Sequence, residues 1–299
     1  MTAAELNALQ SLLPDSGFAE RCKNLVGALQ KVVQQELPTC KVVPIGSYVQ
    51  GTSLKGATLD IAMVEGGPHS EQQPRQKLAE LLTSRPQLGR GVSILYASQQ
   101  VEDDFGQGRL RLLARGSQGG RPGQSLEFAL FDGTGTSGVS DLQIHRLLDS
   151  NLQAKHFVLI AKQWVRGHRC LLAEVHGSFH WTLLVISFLQ HHYYLPFPKD
   201  LQQGFRPEVC GSLKRLLVVF ASWVFREAQA DQISRHLVLH ESRLENLQMQ
   251  GLYQTKLEVA VALQQLIDHH GDWTGGGSAP GPASSTAGRA GSSPPGLTR

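Results

Sequence analysis

The run Val42-Val43-Pro44-Ile45-Gly46-Ser47, answered by Thr58-Leu59-Asp60-Ile61-Ala62-Met63-Val64, constrains this chain more than any other feature. Each flank is an apolar segment of strand length. Between them, Gly46-Ser47 makes a turn and Tyr48 to Ala57 supplies a short, mostly polar helix and loop. A Gly-Ser turn lets backbone N–H groups approach a phosphate closely. A carboxylate on the neighbouring strand, here Asp60, is then placed to hold Mg²⁺ against that phosphate.

The surrounding pattern predicts a sheet with helices packed on it. Ala19 to Glu36 carries Leu25, Val26, Leu29, Val32 and Val33 at helical spacing, and Leu37-Pro38 ends it. Lys41 to Ile45 and Leu59 to Val64 are the first two strands. Ser70 to Arg85 reads as an amphipathic helix with Leu78, Leu81 and Leu82 inward and Ser70 as its N-cap. Val92 to Ala97, Arg109 to Arg115 and Leu126 to Phe131 read as strands, the last two joined through the glycine-rich segment Gly116 to Gln124. This order gives an α+β class with helices on one face of the sheet.

From Asp141 the pattern becomes helical. Ala154 to Arg166 carries Phe157, Ile160, Ala161 and Trp164. Ser178 to His191 is apolar all round, as a helix at the centre of a core must be. Glu208 to Glu227, Asp231 to Gln248 and Leu252 to His269 follow as helices. Thr274 to Arg299 is built almost wholly of Gly, Ser, Pro, Ala and Thr, which cannot bury a core, and predicts disorder. The expected organisation is residues 1–140, 141–273 and a tail at 274–299.

Composition narrows the partners. Of the 299 residues 41% are hydrophobic and 18% charged, with a net charge of +3. That balance excludes a strongly basic nucleic-acid coat and leaves room for a local basic groove. No run reaches the roughly 18 apolar residues of a membrane span, and Met1 to Gln10 has no secretory pattern. Cys22, Cys40, Cys170 and Cys210 lack C-x-x-C spacing and read as reduced thiols. The expectation is an intracellular protein, cytoplasmic or nuclear, with no membrane partner.

Two stretches together resemble a family. Gly46-Ser47 followed by Thr58-Leu59-Asp60-Ile61 is similar to the Gly-Ser…Asp-x-Asp signature of the nucleotidyltransferase superfamily. The spacing is similar to that of noncanonical poly(A) polymerases and terminal uridylyltransferases. The intervening Gly51-Thr52-Ser53-Leu54-Lys55-Gly56 is similar to oligoadenylate synthases. The second stretch, Phe157 to Trp164 with Gly177-Ser178-Phe179-His180-Trp181-Thr182-Leu183 and Phe188-Leu189-Gln190, resembles the poly(A)-polymerase-associated helical domain. The resemblance implies a nucleotidyltransferase palm, a mixed sheet with helices on one face, followed by that all-helical domain and separated from it by a cleft.

The chemistry implied is attack of an RNA 3′ hydroxyl on the α-phosphate of a nucleoside triphosphate. Two metal ions about 4 Å apart assist it. They need three converging carboxylates, two at i and i+2 on one strand and one on the next strand. This chain departs from that set. Thr58 stands at the first position and Asp60 at the second. The third position, on Leu126 to Phe131, holds Ala129, and Glu127 lies about 7 Å earlier on the same face. Asp60 and Glu127 are therefore the candidate catalytic and metal-binding residues. Gly46, Ser47, Lys162, Arg166 and Trp181 are the candidate nucleotide-binding residues by resemblance. Lys162 and Arg166 lie one turn apart on one helix face. Trp181 is placed either to stack a base or to fill the core.

Other polar groups carry weaker signals. His191-His192 and His269-His270 are adjacent on helices and cannot face one metal, so they read as helix-end histidines. His168, Cys170 and His176 lack zinc spacing, and Asp103-Asp104 reads as a solvated loop. Arg109, Arg111 and Arg115 share a strand face and, with Arg121, form either a strip for RNA phosphates or a solvated sheet edge.

Three functions remain open at this stage. The first is a catalytically degenerate member that binds RNA, nucleotide or a protein partner and needs no cofactor. The second is an active enzyme adding AMP or UMP with Mg²⁺ or Mn²⁺. The third is a structural partner that dimerises through its helices.

Overall fold

The computed structural model describes residues 3–66, 74–89, 92–97, 110–118, 121–168, 178–196 and 211–227, together with Glu208 and Val259. Its first layer is a six-stranded mixed sheet. The strands are β1 (Cys40–Ile45), β2 (Leu59–Glu65), β3 (Gln87–Gly89), β4 (Val92–Ala97), β5 (Leu110–Gln118) and β6 (Arg121–Gly133), in the order β1-β2-β6-β5-β4-β3. β2 runs parallel to β6 and every other pair is antiparallel. The parallel pair sets Leu59 beside Phe128, Asp60 beside Ala129 and Ile61 beside Leu130.

Period-two alternation sends Leu59, Ile61 and Met63, with Leu126, Phe128 and Leu130, to one face. There α2 (Phe18–Glu36) and α4 (Pro74–Ser84) cover them with Cys22, Leu25, Leu29, Val33, Leu78 and Leu82. Leu29 and Val33 are fully buried, and each such side chain contributes about 2 kcal/mol. Over the described residues the expected helices and strands of this part are present, with β5 and β6 longer than their apolar runs and a short β3 added, while the expected helix start with Ser70 as N-cap lies outside the described residues. β6 extends to Arg121 because its polar N-terminal half pairs with the far end of β5, a hairpin that needs no buried face.

The second layer is helical: α5 (Val139–Asp149), α6 (Leu152–Gly167), α7 (Ser178–His191) and α8 (Leu213–Arg226). Phe157 packs edge-on to Phe220 at 6.0 Å and beside Phe188 at 5.9 Å, while Trp164 meets Trp181 edge-on at 6.4 Å. α7 is buried all round, Leu183 to Ile186 and Phe188 to Leu189 being at most 1% exposed. α6 starts where it does because the Asn151 side chain accepts from the Gln153 and Ala154 amides.

The first helix, α1 (Ala3–Leu12), packs with this layer rather than with the sheet that follows it. Leu9 is buried among the helical core residues. Glu5, 4% exposed, accepts from Ser212 Oγ, Leu213 N and Lys214 N and so caps α8. The free amides and positive end of that helix stabilise the carboxylate.

Among the described residues no helix is long and apolar enough to cross a membrane. Arg109, Asp103-Asp104, Cys170, His176, Cys210, the helices expected over 231–248 and 252–269, His269-His270 and the tail 274–299 lie outside the described residues, Val259 excepted.

Candidate functional site

β1 delivers the chain into Gly46 at φ +70°, a conformation that favours glycine. A Cβ at this position would stand 2.7 Å from Asp60 Oδ2. The turn and the β2 carboxylate are therefore in direct apposition, and a side chain at 46 would displace the carboxylate. Ser47 opens the one-turn helix α3 (Ser47–Gln50), which closes on Gly51, again at positive φ.

Two residues of the other layer reach this turn. The Lys162 side chain, from the middle of α6, is 6% exposed and donates to the Thr52 carbonyl at 3.2 Å and to Thr52 Oγ1 at 3.1 Å. Burial pushes its pKa down to about 8, Arg166 acts in the same direction, and Asp60 and Asp141 oppose. Asp141, in the first turn of α5, accepts from Gly46 N at 2.8 Å and from Gln50 Nε2 at 2.6 Å. Thr52 Oγ1 donates to Gln50 Oε1 at 3.1 Å. A continuous buried relay thus runs Lys162–Thr52–Gln50–Asp141 and joins the turn to both α5 and α6.

A cavity of about 370 Å³ opens beside this relay, between sheet and helices. Gly46, Ser47, Thr58, Asp60, Lys162, Arg166 and Trp181 line it, with Leu54, Ala57, Val165 and Phe179 as its apolar wall. The structure therefore brings together every residue that the sequence nominated except Glu127. Glu127 precedes Phe128, the partner of Leu59, and so stands in the row of Thr58, diagonal to Asp60. Diagonal positions on paired strands are about 7–8 Å apart. Glu127 is not among the residues lining the cavity.

Each remaining nominee has a definite setting. Arg166 is exposed at the mouth, its Nη1 3.4 Å from the Lys55 carbonyl. Trp181 is 1% exposed and belongs to the helical core, presenting only part of its surface to the cavity. His168 caps α6 through Trp164 O at 2.7 Å, and His191 ends α7, as helix-end histidines. Arg111 occupies the register position beside Ala129, on the sheet row that holds Asp60.

Asp141, Gln50 and Thr52 escaped the sequence reading. Asp141 is 95 residues from its partner Gly46 and looks there like an ordinary acid in a first helical turn. One signal was available: Lys162 sits on the same apolar helix as Phe157, Ile160 and Trp164, and a buried lysine needs oxygen partners.

A pair of divalent ions does not fit these donors. Among the described residues, the cavity offers one carboxylate, Asp60, with the Ser47 and Thr58 hydroxyls and the Gln50 amide, against the cations Lys162 and Arg166. The strand position beside Asp60 is Ala129. Among the described residues no three His, Cys, Asp or Glu side chains cluster as a metal site.

No family model and no curated protein matches the chain. Solved structures do. Cid1 in complex with the UTP analogue UMPNPP matches with a TM-score of 0.60 at 14% identity, over 88% of this chain and 92% of that one. Cid1 with its short product ApU gives 0.60 at 15%, with the same coverage of 88% and 92%. A cytoplasmic RNA terminal U-transferase gives 0.57 at 14%, again over 88% and 92%. A further match is Cid1 poly(U) polymerase with Mg and 3′-dATP bound. At these identities the likeness is one of fold, and the chain has the nucleotidyltransferase fold of the Cid1 poly(U) polymerase.

Proposed function

We propose that this protein is a nucleotide- and RNA-binding module built on a nucleotidyltransferase frame that has lost efficient nucleotidyl transfer. One observation carries the reading: among the described residues, the cavity between sheet and helices pairs a single carboxylate, Asp60, with two cations, Lys162 and Arg166. Two-metal catalysis needs several carboxylates in a small volume. Binding a triphosphate needs cations, and Lys162 and Arg166 line the cavity.

In this reading Lys162 and Arg166 hold phosphates, with Gly46 and Ser47 forming the floor beneath them. Phe179 and Trp181 form the wall for a base. Helices α5 to α8 act as the poly(A)-polymerase-associated domain. Cid1 binds a UTP analogue and the product ApU, which supports nucleoside triphosphate and RNA as the ligand classes. The competing reading is an active transferase that recruits Glu127 as the partner of Asp60 and uses Mg²⁺ or Mn²⁺.

The test is incubation of the full chain with labelled RNA, each nucleoside triphosphate and Mg²⁺ or Mn²⁺, together with melting curves in each nucleotide. The expected result is a nucleotide-dependent rise in melting temperature without RNA extension. Extension that disappears in Asp60→Ala would overturn the proposal. No shift with any nucleotide or RNA would favour a structural or dimerising role.

A further inference from the structure

We infer that this cleft takes up the triphosphate group without a divalent metal, using Lys162 and Arg166 in the role that metal ions fill in a two-metal site. The inference rests on the nucleotide-binding reading above and adds to it the ionic form of the ligand.

Three independent features of the site point this way. First, the carboxylates that would attract a cation are missing from the cavity or already engaged. Among the described residues Asp60 is its only carboxylate, and Ala129 stands at the neighbouring strand position. Asp141, the nearest acid from the helical layer, spends one oxygen on Gly46 N at 2.8 Å and the other on Gln50 Nε2 at 2.6 Å. Second, two fixed cations face the same space. Lys162 Nζ is held by two oxygens of Thr52, at 3.2 and 3.1 Å, which leaves capacity for one further acceptor on its ammonium. Third, the Gly46 amide is given to Asp141 rather than turned to the cavity. The phosphate-binding role of the turn thereby passes to the side chains opposite.

Charge then sets the preferred ligand. A cavity with two cations and one carboxylate attracts the more negative partner. Chelation by Mg²⁺ cancels two of a free triphosphate's negative charges, so the free form has the larger attraction. It also brings a divalent cation toward Lys162 and Arg166, which repel it. In a site built around three carboxylates both effects have the opposite sign.

The test is a calorimetric titration of the full chain with ATP, UTP and inorganic tripolyphosphate, each in EDTA and in excess Mg²⁺ at one ionic strength. The inference predicts equal or tighter binding in EDTA for all three probes. Arg166→Gln, at an exposed position, and Lys162→Gln should each weaken binding about tenfold or more in EDTA, the usual worth of a lost charged hydrogen bond. Unchanged melting of Arg166→Gln in the absence of ligand certifies the fold of that variant. A Kd for ATP lower in Mg²⁺ than in EDTA would overturn the inference while leaving nucleotide binding intact. No binding of any probe in either condition would overturn both.

Discussion

Lys162 offers the sharpest physical prediction. It is buried, and its pKa falls from the ordinary 10.5 to about 8, chiefly because burial strips its water. Below about pH 8 the amine is charged in folded and unfolded chains alike, and the folded state bears the whole desolvation cost. Between about pH 8 and 10.5 the folded chain sheds this proton and the unfolded chain keeps it. The unfolded state then binds more protons, so stability rises with pH through that window. At 1.36 kcal/mol per pKa unit the rise is about 3 kcal/mol. Lys162→Met keeps most of the stem volume and removes the titration. It also leaves the Thr52 carbonyl without its lysine donor, a fixed cost of about 1–3 kcal/mol that does not vary across the window. Urea unfolding of both proteins at half-unit steps from pH 7.5 to 10.5 isolates the effect. The thiol of Cys22, pushed up to about 12 by burial, lowers stability at the alkaline end in both chains and cancels in the difference. The stability of the natural chain minus that of the variant should climb by about 3 kcal/mol. A flat difference would refute the buried, oxygen-held lysine and with it the description of the cleft wall.

Three further predictions test separate parts of the account. Gly46→Ala places a Cβ 2.7 Å from Asp60 Oδ2 at a φ of +70°, and should cost about 1–3 kcal/mol in urea unfolding. Glu5→Gln removes the charge that caps α8 through three donors, and should cost about 1–3 kcal/mol, read as a lower urea midpoint with unchanged slope. Thr58→Asp combined with Ala129→Asp builds carboxylates around Asp60 on the i, i+2 and neighbouring-strand positions. That double variant should melt at lower temperature in EDTA, and Mg²⁺ should raise its melting temperature while leaving that of the natural chain unchanged.

The local periodicities carried much of this architecture. Leu59, Ile61 and Met63 alternate as strand residues do, and Leu25, Leu29 and Val33 recur at helical spacing, so β2 and α2 were readable from the chain. The convergence of Asp60 and Lys162 on one cavity was readable because two motifs in fixed order imply a cleft between their folds. The setting of α1 was not. Its Glu5 acquires meaning only beside Ser212 and Leu213, and helix caps made across the whole chain leave no local pattern. Gln50 and Thr52 were hidden for a similar reason: in a polar turn they look solvated, and only Lys162 and Asp141 arriving from α6 and α5 bury them. The register that sets Ala129 beside Asp60 is the point where the sequence reading and the parallel β2–β6 ladder bear on the same residue.

Pyrophosphate release from ATP and UTP bound to the full chain, with an RNA 3′ end and Mg²⁺ or Mn²⁺ present, separates a cleft that holds a nucleoside triphosphate from one that cleaves it. A holding cleft retains the triphosphate intact at saturation, with no pyrophosphate above the protein-free rate. Pyrophosphate released in step with RNA extension, and abolished by Asp60→Ala, would contradict it.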